Sequence, residues 1–361
     1  MRYLKLYILI FFILFITGCS QKTNPYYDKT KVHHTKEGFQ NTYINDKAKK
    51  TNYFSFFKMR LLSDEYWADH KALKDQISVV DVDVRLIHQN SSKPRITWLG
   101  HSSFLIQYKN INILTDPVFS DSVSPLGFGE PLRYTKHPMD YKKLPKIDMV
   151  LISHNHYDHL DKDSLEGLIK QEYSPIFYVP LGLKDMLVSF GADEKKVKEL
   201  DWLNSNSLKI DEKNLNIKAY PSQSYSSRSM GDSFKSLWAS WFVKIEDFDF
   251  WFAGDTGYNE KQFKEIGKDL KEVDIAFIPI GGYEPRWFMK RYNINPRESL
   301  YIHKDIKAKK SIAMHWGTFP LSAEEPNAPV IELKKQMKEQ GVENDKFIIM
   351  DIGESFELKN N

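Results

Sequence analysis

Short apolar runs divided by polar punctuation dominate the chain from about residue 80 onward. Arg95 to Trp98, Ser103 to Tyr108 and Ile111 to Thr115 are apolar or alternating segments of strand length, separated at Gly100 and at Lys109-Asn110. Met149 to Ile152 is an apolar run bounded by polar residues, which predicts a buried strand. The period then changes. Between Asp161 and Lys170, Leu165, Leu168 and Ile169 fall on one face of a helix. Ile176 to Pro180 predicts another buried strand and Leu183 to Phe190 another helix. Leu215 to Tyr220, Trp251 to Ala253 and Ser311 to Met314 continue the pattern as strands. Alternation of this kind predicts a layered α/β domain. With 361 residues, 41% of them hydrophobic, the chain can bury a large core.

The first 80 residues read differently. Arg2 and Lys5 precede an uninterrupted apolar stretch, Leu6 to Ile16, that is too short to cross a bilayer comfortably. Small residues follow, and then Cys19, the single cysteine of the chain. One cysteine excludes disulfide stapling within the chain. Residues 19–52 are polar with few aliphatics and predict a tether, with order where Phe39-Gln40-Asn41 meets the body. The His33-His34 pair within it reads as a surface feature and not as a metal site. Residues 53–62 are aromatic and amphipathic, as a core or lid segment would be; a membrane-facing patch is the sharper alternative. Residues 53–80 extend a single domain that runs to residue 361.

Charge removes one class of function. The formal net charge is +3, and loss of Arg2 and Lys5 with a leader leaves 49 basic against 48 acidic residues. No bulk positive field would attract nucleic acid.

The candidate chemistry is concentrated in Ser153-His154-Asn155-His156-Tyr157-Asp158-His159-Leu160-Asp161, directly after the Met149–Ile152 run. His154 and His156, two apart, can face one side of an extended loop. Asp158 and His159 follow where the chain must bend and can face a second point. Imidazole nitrogens and carboxylate oxygens are what zinc and related divalent ions take. Asp116 stands at a predicted strand end before Pro117, where its carboxylate can accept an N–H from a histidine ligand.

His-x-His-x-Asp-His after an apolar strand resembles the signature of the metallo-β-lactamase superfamily. Ile96 to His101, Leu114 to Pro117, Phe252 to Tyr258, Gly282 to Met289 and His315 to Phe319 occur in order around it. Together they resemble the branch of phospholipases D that hydrolyse N-acyl-phosphatidylethanolamine, over about residues 80 to 358. The resemblance implies an αββα sandwich with a metal site along one edge of two sheets. It implies a first metal on His154, His156 and Asp255, a second on Asp158, His159, Asp255 and His315, and Zn2+ as the cofactor, one or two per chain. Asp116 and His101 would support the ligands from behind. Asp255 would bridge the metals and, with Asp158, orient the attacking water. Tyr157 could contact a phosphate oxygen, with packing an equal explanation; Arg286 could pair with the phosphate or form an ion pair with Glu284 or another carboxylate. Ile16-Thr17-Gly18-Cys19 resembles a bacterial lipobox, with residues 1–18 as a signal peptide and Cys19 lipidated. Ser20 after it favours the outer membrane of the cell envelope.

Two positions depart from the branch. Ser224 stands where the third histidine of the first metal is expected, and Asn293 where a histidine near the phosphate is expected. A serine hydroxyl is a poor zinc ligand beside imidazole. Gln223, Tyr225 or a water could compensate. Two readings follow: a membrane-tethered phosphodiesterase acting on N-acyl-phosphatidylethanolamine or a related phospholipid, or a catalytically impaired lipoprotein of the same fold that binds a lipid or partner.

Overall fold

The computed structural model describes residues 23–44 and 65–358, apart from Phe128 and Met230, together with Met59. The signal segment, Cys19, residues 45–52 of the expected tether and, except for Met59, the aromatic stretch 53–62 lie outside the described residues.

Along the chain the strands are β1 (His34–Thr35), β2 (Gly38–Phe39), β3 (Arg95–Gly100), β4 (Ser103–Tyr108), β5 (Ile111–Thr115), β6 (Met149–Leu151), β7 (Ile176–Pro180) and β8 (Val197–Leu200). They continue as β9 (Ser205–Ile210), β10 (Lys213–Tyr220), β11 (Ser240–Ile245), β12 (Phe248–Phe252), β13 (Val273–Pro279), β14 (Ala308–Met314), β15 (Phe347–Ile348) and β16 (Ser355–Glu357). The helices are α1 (Val84–Ile87), α2 (Lys162–Ile169), α3 (Lys184–Ser189), α4 (Glu260–Leu270), α5 (Arg286–Met289), α6 (Pro296–Asp305) and α7 (Ala328–Glu339). Among the described residues, β1 pairs with β2, and two seven-stranded sheets run β16-β3-β4-β5-β6-β7-β8 and β15-β14-β13-β12-β11-β10-β9.

Side-chain alternation shows why the sheets stack. On β4, Phe104 and Ile106 enter the core between the sheets while Leu105 faces the other way. On β5 and β6, Ile113, Met149 and Leu151 point inward and Leu114 and Val150 outward. A period of two puts alternate residues on opposite faces. Both faces being apolar, both must be covered. The second sheet supplies Ile217, Trp241, Phe250 and Phe277 to the inner layer. Leu165 and Leu168 of α2 and Leu187 of α3 cover the outer face of the first sheet. Phe263 of α4, Leu300 of α6 and Leu333 of α7 join the core from the second sheet's side. The result is the expected αββα sandwich in one domain. Among the described residues no helix is long and apolar enough to cross a membrane.

The strand ends place the chemistry. β5, β6, β12 and β14 end at Thr115, Leu151, Phe252 and Met314. The next few residues include Asp116, the His154–His159 loop, Asp255 and His315. β5 is parallel to β6, and β12, β13 and β14 are mutually parallel, so these carboxyl ends share one edge. Gly254 makes the approach possible. At φ +59°, a Cβ there would lie 2.6 Å from Ser153 Cβ. A side chain at 254 would push Asp255 away from the histidine loop.

Residues 23–44 depart from the tether reading. His33 Nε2 and His34 Nε2 lie 2.7 and 3.0 Å from the buried Asp201 carboxylate, which Lys31 also contacts. The His33 ring stacks on Trp202 at 4.5 Å, and Phe39 enters the core. The His33-His34 pair is therefore an anchor and not a surface feature. Composition reads the polar residues as solvated; here three of them share one buried carboxylate. Burial raises the Asp201 pKa, but the hydrogen bonds from His33 and Lys31 outweigh it and hold that carboxyl far below its usual range. A depressed carboxyl stabilises the docked state above the ordinary aspartate pKa of about 4, and that contribution is lost as pH falls below it. Asp201→Asn should release this segment at neutral pH, read as faster proteolysis between residues 23 and 44 with the rest of the domain intact. Equal cleavage rates would show that Phe39 and the backbone hold it alone.

Candidate active site

Asp116 is the buried hub. Its Oδ2 accepts the His159 Nδ1–H at 2.7 Å and the Ser153 hydroxyl at 2.5 Å. The Ser153 oxygen in turn accepts from His154 Nδ1 at 2.8 Å. One carboxylate thereby turns Nε2 of both His159 and His154 toward the opening, as a brace behind metal ligands does. Burial raises the Asp116 pKa, against the lowering by His159 and Ser153.

Two groups of ligand-type atoms face the space in front of this hub. His101, Asp158, His159 and His315 form one, and His154, His156 and Asp255 the other; within each group the ligand atoms lie within 4.8 Å of one another. Asp255 touches both. Its Oδ1 is 3.2 Å from His159 Nε2 and 3.1 Å from His315 Nε2, and its Oδ2 is 3.8 Å from His154 Nε2. Asp158 Oδ2 is 3.3 Å from His159 Nε2 and 3.6 Å from His315 Nε2. Tetrahedral donors at about 2.0–2.2 Å from one ion stand roughly 3.3–3.6 Å apart, so these separations fit a divalent ion closely. His159 Nε2, His315 Nε2 and Asp255 Oδ1 are buried, and among the described residues none has a hydrogen-bond partner. Buried polar atoms left this way point to a ligand that belongs between them.

Electrostatics separates the two groups. Burial lowers the His315 pKa, but Asp255 and Asp158 overcome it and lift it to about 9. His159 is likewise depressed by burial yet held well above its usual value by Asp255 and Asp158. Both carboxyls are raised by burial and then driven well below their ordinary range by His159 and, after it, other histidines. This pocket demands positive charge, which protons supply in the absence of a cation and which a metal would displace. His154 and His156 are the reverse: burial holds both low, His156 at about 4. Neutral imidazoles are ready ligands. His101, brought down to about 3 by burial first, sits with Nε2 3.0 Å from Asp158 Oδ2 and supports that carboxylate.

Strain marks the same place. His101, Asp116 and His315 have φ of 51°, 31° and 62° without being glycine. Non-glycine residues in the left-handed region cost about 1–3 kcal/mol each and gather at functional sites.

The structure brings together the six residues expected to hold metal and the two expected behind them. For two others it shows protein partners, the alternative open to each. Arg286 Nη2 pairs with Glu298 Oε2 at 2.7 Å, and Nη1 donates to the Asn293 carbonyl at 2.9 Å. Glu298 also closes the capping box of α6 with Asn295, so this arginine belongs to a helix start and not to a phosphate. The Tyr157 hydroxyl donates to the Arg228 carbonyl at 3.0 Å, and its ring lies under the Arg228 guanidinium at 3.9 Å. Its hydroxyl proton is thereby committed to the backbone. Ser224 is buried, and its hydroxyl has no partner among the described residues. Asn293 borders the second group: a Cβ on Gly282 would lie 3.0 Å from His315 Cε1 and 3.6 Å from Asn293 Nδ2.

Three contributors escape the sequence. Ser153 relays Asp116 to His154. Arg228 clamps the histidine loop by donating to the carbonyls of Asn155 and Leu160 at 3.1 and 2.7 Å. Half-buried Glu324 accepts from the backbone N–H groups of Gly282, Tyr283 and Glu284 and fixes the turn beside His315. The carbonyls that Arg228 meets lie 73 and 68 residues away in sequence and the N–H groups that Glu324 meets 40 to 42, and no local pattern signals such pairings. For Ser153 the serine before His154 is the only local sign.

Comparison with known proteins agrees with this geometry. Residues 111–316 match the model of the beta-lactamase superfamily domain. The chain is 36% identical over 315 residues to an N-acyl-phosphatidylethanolamine-hydrolyzing phospholipase D of Caenorhabditis elegans, covering 85% of this chain and 87% of the relative. It is 41% identical over 230 residues to the mitochondrial protein of that description in Saccharomyces cerevisiae, covering 63% of this chain and 48% of the relative. The solved metallo hydrolase Igni18 of Ignicoccus hospitalis shares the fold with a TM-score of 0.55 at 21% identity, covering 74% of this chain and all of that one. A family match over more than half the chain, in register with the strand-end ligands, is decisive: the chain belongs to the metallo-β-lactamase superfamily, in the same branch of metal-dependent hydrolases as the N-acyl-phosphatidylethanolamine-hydrolysing phospholipases D.

Proposed function

We propose that the protein is a phosphodiesterase of the phospholipase D type that hydrolyses N-acyl-phosphatidylethanolamine or a related phospholipid, with zinc as its metal. The observation that carries the reading is Asp255, one carboxylate shared between two adjacent ligand groups. Paired divalent ions supply a water acidic enough to attack near neutral pH and offset phosphoryl charge. His154, His156, Asp158, His159, Asp255 and His315 would hold them, and His101 would keep Asp158 in place. Phe319 and Leu321 line a cleft together with His101 and His315, beside the second group, where an acyl-bearing substrate would meet apolar surface. Lipidated Cys19 would tether the enzyme in the cell envelope, at the outer membrane, beside that substrate.

Purified protein offered vesicles of N-acyl-phosphatidylethanolamine should release phosphatidic acid, and a chelator should stop the release. Ser224 favours the second reading, a lipid- or partner-binding lipoprotein. Vesicle binding without release, under zinc, manganese and iron in turn, would establish that reading and end the first.

A further inference from the structure

The first ligand group is short by one donor. A serine at 224 ends one bond past Cβ, well before the point an imidazole on the same backbone would reach. The Ser224 carbonyl accepts from Asn41 Nδ2 at 2.8 Å, so the docked N-terminal segment holds this backbone in place. Gln223 is engaged on both sides: Nε2 donates to the Arg291 carbonyl and Oε1 accepts from Asn259. It has no free end to turn toward His154.

Tyr225 is placed otherwise. Its ring stands edge-on to the His156 ring at 4.6 Å. Tyr292 at 4.7 Å and Phe234 at 5.9 Å pack its other flanks. The contact with His156 sets the phenol beside the group that lacks a donor.

We infer that the Tyr225 phenol oxygen takes the place of the missing histidine as a ligand of the metal held by His154, His156 and Asp255. The donor set becomes two imidazole nitrogens and two oxygens, and on binding the phenol proton passes to solvent. Oxygen donors shift preference toward harder ions. The inference rests on the reading above in one respect, that the first group holds a metal.

The probe is ferric iron, because a tyrosine oxygen bound to it gives a visible charge-transfer band whatever the activity. The full chain, loaded with iron and oxidised, should show that band and about two metals per chain. Tyr225→Phe should abolish the band and lower the content to about one, and Ser224→His in that background should return the second metal without the band. Two metals retained in Tyr225→Phe, or a band that survives it, would overturn the inference. So would a wild-type chain with one metal and no band. In that case release of phosphatidic acid still decides the proposed activity separately, on the second group alone.

Discussion

Replacing Asp255 by alanine is expected to lower hydrolysis by at least about a thousandfold and to deplete metal from both groups. The reason is its position. Among the described residues no other carboxylate presents one oxygen to His159 and His315 and the other to His154. Electrostatic and metal-held stabilisation of a transition state is commonly the largest single contribution to catalysis, and loss of one such contact alone costs about 10²–10³. Loss of a contact shared by two metals costs more. The variant should still fold, because His159 keeps its contacts with Asp116 and Asp158 and His315 its contact with Asp158. Asp255 is the first of the groups that raise His159 and His315 against burial, and Asp158 follows it. Elemental analysis and circular dichroism read the two claims separately. Near-normal metal content with lost activity would restrict Asp255 to orienting the nucleophile. Retained activity would remove the shared-carboxylate argument altogether.

The features legible in the sequence were those with a local pattern. The strand Met149–Leu151 and helix Lys162–Ile169 follow from apolar period, and the histidine loop from spacing on a short stretch. Asp116 was legible because it ends a strand before a proline. The partners of Arg286 and Tyr157 were not legible, because a lone charged or phenolic side chain gives no sign of which distant group it will meet. Arg286 is absorbed by Glu298, twelve residues on, through a helix cap that also uses Asn295. Tyr157 is absorbed by Arg228, whose loop reaches the site only after β10 has crossed the second sheet. The N-terminal segment failed for the same reason: Lys31, His33 and His34 look solvated until Asp201, some 170 residues away, is brought beneath them.

The second large effect is expected at Asp116, which touches no candidate metal position. Asp116→Asn keeps the shape but removes the charge and one acceptor oxygen. Oδ2 accepts from His159 Nδ1–H and the Ser153 hydroxyl and Oδ1 from the Ser153 backbone N–H, all buried, so whichever way the amide turns at least one donor loses its partner. Loss of one partner from a buried charged pair costs about 3–5 kcal/mol. His159 then loses the contact that fixes its tautomer, and His154 loses the relay through Ser153. Outer partners of metal-bound histidines are worth about 10–100-fold in affinity. Chelator competition should therefore show weaker binding at both groups in Asp116→Asn. Ser153→Ala should weaken only the group containing His154, because His159 keeps its direct contact. The split separates a shared brace from general destabilisation, which would lower both groups alike in both variants. Equal losses in Ser153→Ala and Asp116→Asn would mean that the hub acts through folding alone.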